Sequence, residues 1–140
     1  MLFIIDSNEF IFAFGSEEHP ARNVINDLCA KHSPHSVRIP RTVFEEIRRN
    51  LSIEEFRTFI ELLISIDIAI DEDIVVPFEL GLKYESLGLK PSDAFIAAYA
   101  EWTGADMLIT ENRHFLSRQS NLPFKVVNAE KCLQLIKSLS

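Results

Sequence analysis

The sequence has few of the residues that cross-link, anchor or sharply bend a chain. Two of its 140 residues are cysteines, Cys29 and Cys132, far apart and without a CxxC pairing. Free, buried thiols in a reducing cytosol are therefore expected. No apolar run approaches the roughly 20 residues that cross a bilayer. The opening Met-Leu-Phe-Ile-Ile-Asp carries no basic stretch and meets an acid at Asp6, so it does not read as a secretory signal. A cytoplasmic protein away from membranes is the expectation. None of the four glycines forms G-x-G-x-x-G, G-x-x-x-x-G-K-[ST] or G-x-S-x-G, which disfavours nucleotide-cradling and nucleophile-elbow chemistry. Positive charge is also scarce: 14 Lys and Arg face 21 Asp and Glu, for a formal net charge of −7. Phosphate binding usually leaves a basic footprint. Either the protein does not touch nucleic acid, or part of the acid excess is a carboxylate cluster offset by bound cations.

What is present belongs to a folded chain. Hydrophobic residues make up 47%, charged residues 25%, and eleven Phe supply bulk for a core. The length suits one domain over 1–140, with no internal repeat and no low-complexity tract.

Residues 2–5 are a continuous apolar run ending abruptly in Asp-Ser-Asn, as a buried strand does at a polar edge. A short helix is expected over 8–14, with Gly15 as its C′ residue. A second is expected over 20–32, where Ala21, Val24, Ile25, Leu28 and Cys29 recur at helical spacing behind Pro20. Strand 37–39 leads to helix 41–51. Ser52 and Glu55 form a capping-box pattern ahead of Phe56, Phe59, Ile60 and Leu63. The alternation of Ile with Ser, Asp and Ala over 64–71 reads as a strand. Helix 77–87 is closed by Gly88, and helix 92–102 is apolar almost all round, hence buried. Strands 107–110 and 125–127 and a helix over 129–139 complete the chain. The alternation predicts an α/β domain: a central parallel sheet of about five short strands with helices on both faces. Ligands of such sheets gather beyond the carboxyl ends of the strands.

Several acids fall at those ends. Asp6 follows the first strand, Glu111 and Asn112 follow the fourth, Asp93 opens the buried helix, and Glu46 lies in the helix after the second strand. Hard divalent cations take oxygen ligands, and phosphodiester hydrolysis uses them to activate water and stabilise the leaving oxygen. Asp6 alone reads equally well as a helix cap. Asp93 is more telling: its helix has almost no solvent face, and a buried carboxylate needs a partner. Glu45 and Glu46 compete for one place. At about 100° per residue, Glu46 falls about 115° and Glu45 about 145° from the centre of the apolar face of Val43, Phe44, Ile47 and Leu51. That favours Glu46.

These residues carry a resemblance. Ile4-Ile5-Asp6-Ser7-Asn8 is similar to the first motif of the PIN-domain family, the fold of VapC-type toxins of toxin–antitoxin pairs. Val43-Phe44-Glu45-Glu46-Ile47 resembles its second motif, in which the Glu before an aliphatic residue is the ligand. Ser92-Asp93-Ala94-Phe95-Ile96-Ala97-Ala98 resembles the third, and the strand from Ala105 to Thr110 leading to Phe115 resembles the fourth. The resemblance implies a Mg²⁺- or Mn²⁺-dependent endoribonuclease acting through Asp6, Glu46 and Asp93. Where many members carry Asp two residues after the Thr, this chain has Asn112. Asn112 or its neighbour Glu111 is the candidate for the fourth ligand. The resemblance also implies orienting roles for Ser7, Asn8 and Thr110, although each reads equally as a cap. Arg41, Arg48 and Arg113, with Arg49, Lys90 and Arg118, flank the motifs and are candidates for RNA phosphates. His32, His35 and His114 do not read as zinc ligands. A homodimer and a small antitoxin are the partners implied beside the RNA substrate. The alternative is a catalytically impaired PIN-like module that binds RNA or a protein. Phosphotransfer at Asp6 is disfavoured, since the dehalogenase-type pattern needs a second Asp where Asn8 stands.

Overall fold

The structure is a computed structural model that describes residues 1–15, 18–117 and 121–139, Leu139 by its backbone alone. Arg118 lies outside the described residues. Five strands, β1 (Leu2–Ile5), β2 (Ser36–Pro40), β3 (Ile70–Asp71), β4 (Met107–Ile109) and β5 (Lys125–Val127), form one sheet in the order β3-β2-β1-β4-β5. All four pairings are parallel. Eight α-helices accompany them among the described residues: α1 (Ser7–Phe14), α2 (Pro20–Leu28), α3 (Arg41–Asn50), α4 (Ile53–Ile66), α5 (Phe78–Ser86), α6 (Pro91–Thr103), α7 (Arg113–Leu116) and α8 (Ala129–Leu139). No helix is long and apolar enough to cross a membrane among these residues.

The strand order explains the layers. From β1 to β3 the chain steps one way along the sheet, then returns past β1 to β4 and β5. Right-handed crossovers place helices made before and after that reversal on opposite faces. Accordingly α1 packs on α2, α3 and α4, whereas α5 packs on α6 and α6 on β4. Helix α8, which follows the last strand and joins no two strands, lies against α2 on the first face. Phe59 of α4 sits at the middle of the first layer, its ring 5.4 Å from Phe10, 5.6 Å from Phe14, 6.1 Å from Phe44 and 5.9 Å from Phe56. On the sheet edge, Arg38 of β2 grips Asp71 of β3 through two hydrogen bonds of 3.0 and 2.9 Å. Tyr99 of α6 donates to the same carboxylate at 2.6 Å, locking strand to helix.

Three local expectations need correction. The segment 64–71 is not a strand: α4 runs to Ile66 and ends at Asp67 in the left-handed region, φ 55°, leaving Ile70–Asp71 as β3. The capping box does form, with both of its hydrogen bonds, and a helix nucleated there extends cooperatively over the alternating Ile residues. Ile64 is 75% exposed, so the alternation does not mark a buried face. Helix α2 stops at Leu28, short of 32. Its buried stripe is Ala21, Val24, Ile25 and Leu28, and the next positions on that stripe, Lys31 and His32, offer nothing apolar to bury. Gly15 closes α1 in an extended conformation, φ −76°, not as a left-handed C′ residue. A Cβ there would lie 2.9 Å from the Ile11 carbonyl oxygen, so space, not handedness, calls for glycine.

Candidate active site

Strands β1 and β4 are neighbours flanking the reversal in strand order, the position beyond whose carboxyl ends parallel sheets of this kind gather ligands. The chain leaves β1 into Asp6, whose N–H donates to the Ile109 carbonyl of β4 at 2.9 Å. Asp6 then caps α1, its Oδ1 accepting from the Ser7 N–H at 2.8 Å. Its Oδ2 accepts from the hydroxyl of Thr110, the fully buried residue after β4, at 2.9 Å. The Thr110 oxygen in turn accepts from the Asn112 N–H at 3.1 Å. One carboxylate is thus fixed from two strand ends.

Glu46 arrives on α3, which starts directly after β2. The hydroxyl of Ser7, 2% exposed, donates to Glu46 Oε2 at 2.6 Å and lies 3.5 Å from Asp6 Oδ1. A hydroxyl carries one hydrogen, and the short contact takes it, so Ser7 chiefly holds Glu46 against Asp6. Glu45, on the same helix, turns outward to Arg48 at 2.7 Å and Arg41 at 3.9 Å.

Asp93 lies half-buried in the first turn of α6 and accepts from the Asn112 side-chain amide at 3.3 and 3.2 Å. The Asn112 carbonyl oxygen caps α7, accepting from the N–H groups of His114 at 3.0 Å and Phe115 at 3.4 Å. Asn112 therefore presents Asp93 with N–H, and an Asp in its place would meet Asp93 as a like charge. Glu111 turns away from Asp93. Its Oε2 accepts from the Ala129 N–H at 3.3 Å, and its Oε1 lies 3.8 Å from His19 Nε2.

Asp6, Glu46 and Asp93 have no Lys or Arg ion pair among the described residues. The Asp6 carboxyl is pushed up from its ordinary range by burial first; the Thr110 and Ser7 hydrogen bonds pull it down, and the charges of Glu46 and Asp93 push it further up. Acids without a counter-charge suit a hard divalent cation, although the donor atoms of these three do not all gather within 4.8 Å of one another. The flanking cations are differently placed. Arg41 pairs with Glu72 at 2.7 Å, and Arg48 with Glu45. Arg113, Arg49 and Lys90 are exposed, as is Asn8 in the first turn of α1.

The sequence reading passed over two residues. Glu9 of α1 is wholly buried, and both its carboxyl oxygens lack a hydrogen-bond partner. Its carboxyl is pushed up to about 9 by burial, then by Glu111 and the charge of Asp6. Among the described residues, the three-residue group of metal-ligating types whose donor atoms all lie within 4.8 Å of one another is Glu9, His19 and Glu111. The available signal was an acid inside an otherwise apolar stretch, Phe10 to Phe14 following Glu9; nothing local linked it to His19.

Among protein families, the PIN domain matches residues 3–120. A comparison with curated proteins returns no significant relative. Solved structures share the fold. VapBC2 from Rickettsia felis, bound to a DNA fragment from their promoter, aligns with TM-score 0.62 at 20% identity, over 91% of this chain and 98% of that one. PAE2754 from Pyrobaculum aerophilum aligns at 0.61 and 16%, over 99% and 90% respectively. FitAcB from Neisseria gonorrhoeae aligns at 0.61 and 14%, over 91% and 98%.

Proposed function

The chain belongs to the PIN-domain family, one of nucleases, and on that premise we propose that it is an endoribonuclease dependent on a divalent ion held by Asp6, Glu46 and Asp93. The observation that carries this reading is that Asp6 lies within reach of the charges of both Glu46 and Asp93, while none of the three has a Lys or Arg ion pair among the described residues. Mg²⁺ or Mn²⁺ bound there supplies positive charge for the phosphodiester group undergoing hydrolysis.

The chain's own residues do the positioning. Thr110 and the Ser7 N–H hold Asp6, the Ser7 hydroxyl holds Glu46, and the Asn112 amide holds Asp93. Each carboxylate keeps at least one oxygen lone pair free beyond those bonds. Exposed Arg113, next to Asn112, is the cation best placed for RNA phosphates; Arg41 and Arg48 would exchange Glu72 and Glu45 for them. The likeness to VapBC2 favours a VapC-type toxin with a small antitoxin partner; a homodimer, and a basic antitoxin segment over the acidic site, are part of the same proposal.

The commitment of Asn112 to hydrogen bonds favours a second reading, an impaired module that binds RNA or a protein without cutting. Purified protein incubated with cellular RNA and Mn²⁺, followed by sequencing of new ends, decides between them. Discrete cuts are expected from the wild type, lost with EDTA and at least about a hundredfold weaker in a folded Asp93→Asn variant. Cuts that persist at the wild-type rate in that variant would overturn the assignment.

A further inference from the structure

We propose that Glu9, His19 and Glu111 form a second cation site, separate from Asp6, Glu46 and Asp93 and suited to Zn²⁺ or a similar first-row transition ion. The three residues come from different parts of the fold: the first turn of α1, the position capping α2, and the segment after β4. Their donor atoms nonetheless gather within 4.8 Å of one another. Acidic neighbours alone would not make a site. The added observation is Glu9 itself, 0% exposed, with both oxygens lacking a hydrogen-bond partner and one of them within 4.8 Å of donor atoms of the other two residues. A buried carboxyl without a partner carries a substantial desolvation cost, and no Lys or Arg reaches it among the described residues.

The donor set selects the ion. One imidazole and two carboxylates suit Zn²⁺, with water in the remaining position, better than the all-oxygen preference of Mg²⁺ or Ca²⁺. Access is open on one side, since the His19 and Glu111 side chains are each 24% exposed. The His19 ring is held against Phe12, centroids 4.6 Å apart.

The imidazole also supplies a signature. Its Nδ1 accepts from the Ala21 N–H at 3.0 Å, while its Nε2 faces Glu111. In a neutral ring one nitrogen donates and the other accepts, so Nε2 carries the hydrogen in this state. An ion taken at Nε2 moves that hydrogen to Nδ1 and releases the Ala21 N–H. The competing reading is a proton shared between Glu9 and Glu111, which relieves the buried carboxyl without any metal.

Zn²⁺ titration of the EDTA-stripped, dialysed full chain separates the two, read by competition with a chromophoric chelator and by ¹⁵N NMR of the imidazole and amides. Expected are one ion per chain at this site, a metal-bound Nε2 shift, and a moved Ala21 amide. Asp93→Asn should retain this binding. His19→Asn, which keeps a capping oxygen for Ala21, and Glu111→Gln should each weaken it at least about tenfold. An unmoved His19 ring and Ala21 amide overturn the proposal in favour of the shared proton. Binding lost in Asp93→Asn but unchanged in His19→Asn and Glu111→Gln also overturns it, because Zn²⁺ would then sit at the other acids.

Discussion

Replacing Glu9 with methionine should change how stability depends on pH. The side chain is wholly buried, and in the metal-free protein its carboxyl is raised from an ordinary 4.5 to about 9 by burial, Glu111 and Asp6. A folded-state value above the unfolded one means that the stabilising contribution is complete below pH 4.5 and is lost as pH rises towards 9. One proton bound by the folded but not the unfolded chain gives a slope of about 1.4 kcal/mol per pH unit within that window. Between pH 6 and pH 8 this group should therefore cost the wild type about 3 kcal/mol, a large share of the 5–15 kcal/mol typical of a domain. Methionine has similar length and nothing to ionise. Urea unfolding of both proteins at pH 6, 7 and 8, with EDTA present, should show the variant's advantage widening by about 3 kcal/mol across the range. Parallel pH profiles for the two proteins would refute the reasoning, because Glu9 would then titrate alike in the folded and unfolded chains.

Two further outcomes follow from named contacts. Ser7→Ala removes the 2.6 Å hydrogen bond that holds Glu46 near Asp6; under the nuclease reading kcat should fall about tenfold with KM little changed, matching about 1.5 kcal/mol for a bond to a charged group. An unchanged kcat on an RNA substrate with Mn²⁺ would show that Ser7 does no positioning. Phe59→Ala empties the centre of the ring cluster of Phe10, Phe14, Phe44 and Phe56 and should cost about 3–5 kcal/mol in urea unfolding. A cost below about 1 kcal/mol would mean that the layer repacks around the gap.

Much of the fold was legible because its signals are local. The apolar run before Asp6, the helical spacing of Val43 and Ile47, and the Ser52–Glu55 box each act through residues a few positions apart. The same locality explains the misreading at 64–71, where a period of two in the sequence competed with a helix already nucleated upstream. It also explains the overlong helix at 20–32: spacing shows where a stripe could continue, not whether a neighbour exists to cover it.

The sequence by itself determined the α/β alternation, the acids at the strand ends, and the family to which they belong. It left Asn112, or Glu111 in its place, as the candidate beside Asp93, and it was silent on Glu9 and His19. Those distinctions depended on the tertiary structure. A hydrogen bond from the Asn112 amide to Asp93, or a carboxyl of Glu9 stranded beside Glu111, arises between segments joined only when the sheet closes β1 against β4. Backbone periodicity is set by nearest neighbours along the chain, whereas the direction a polar side chain faces, and the charge it can keep there, is set by what packs against it.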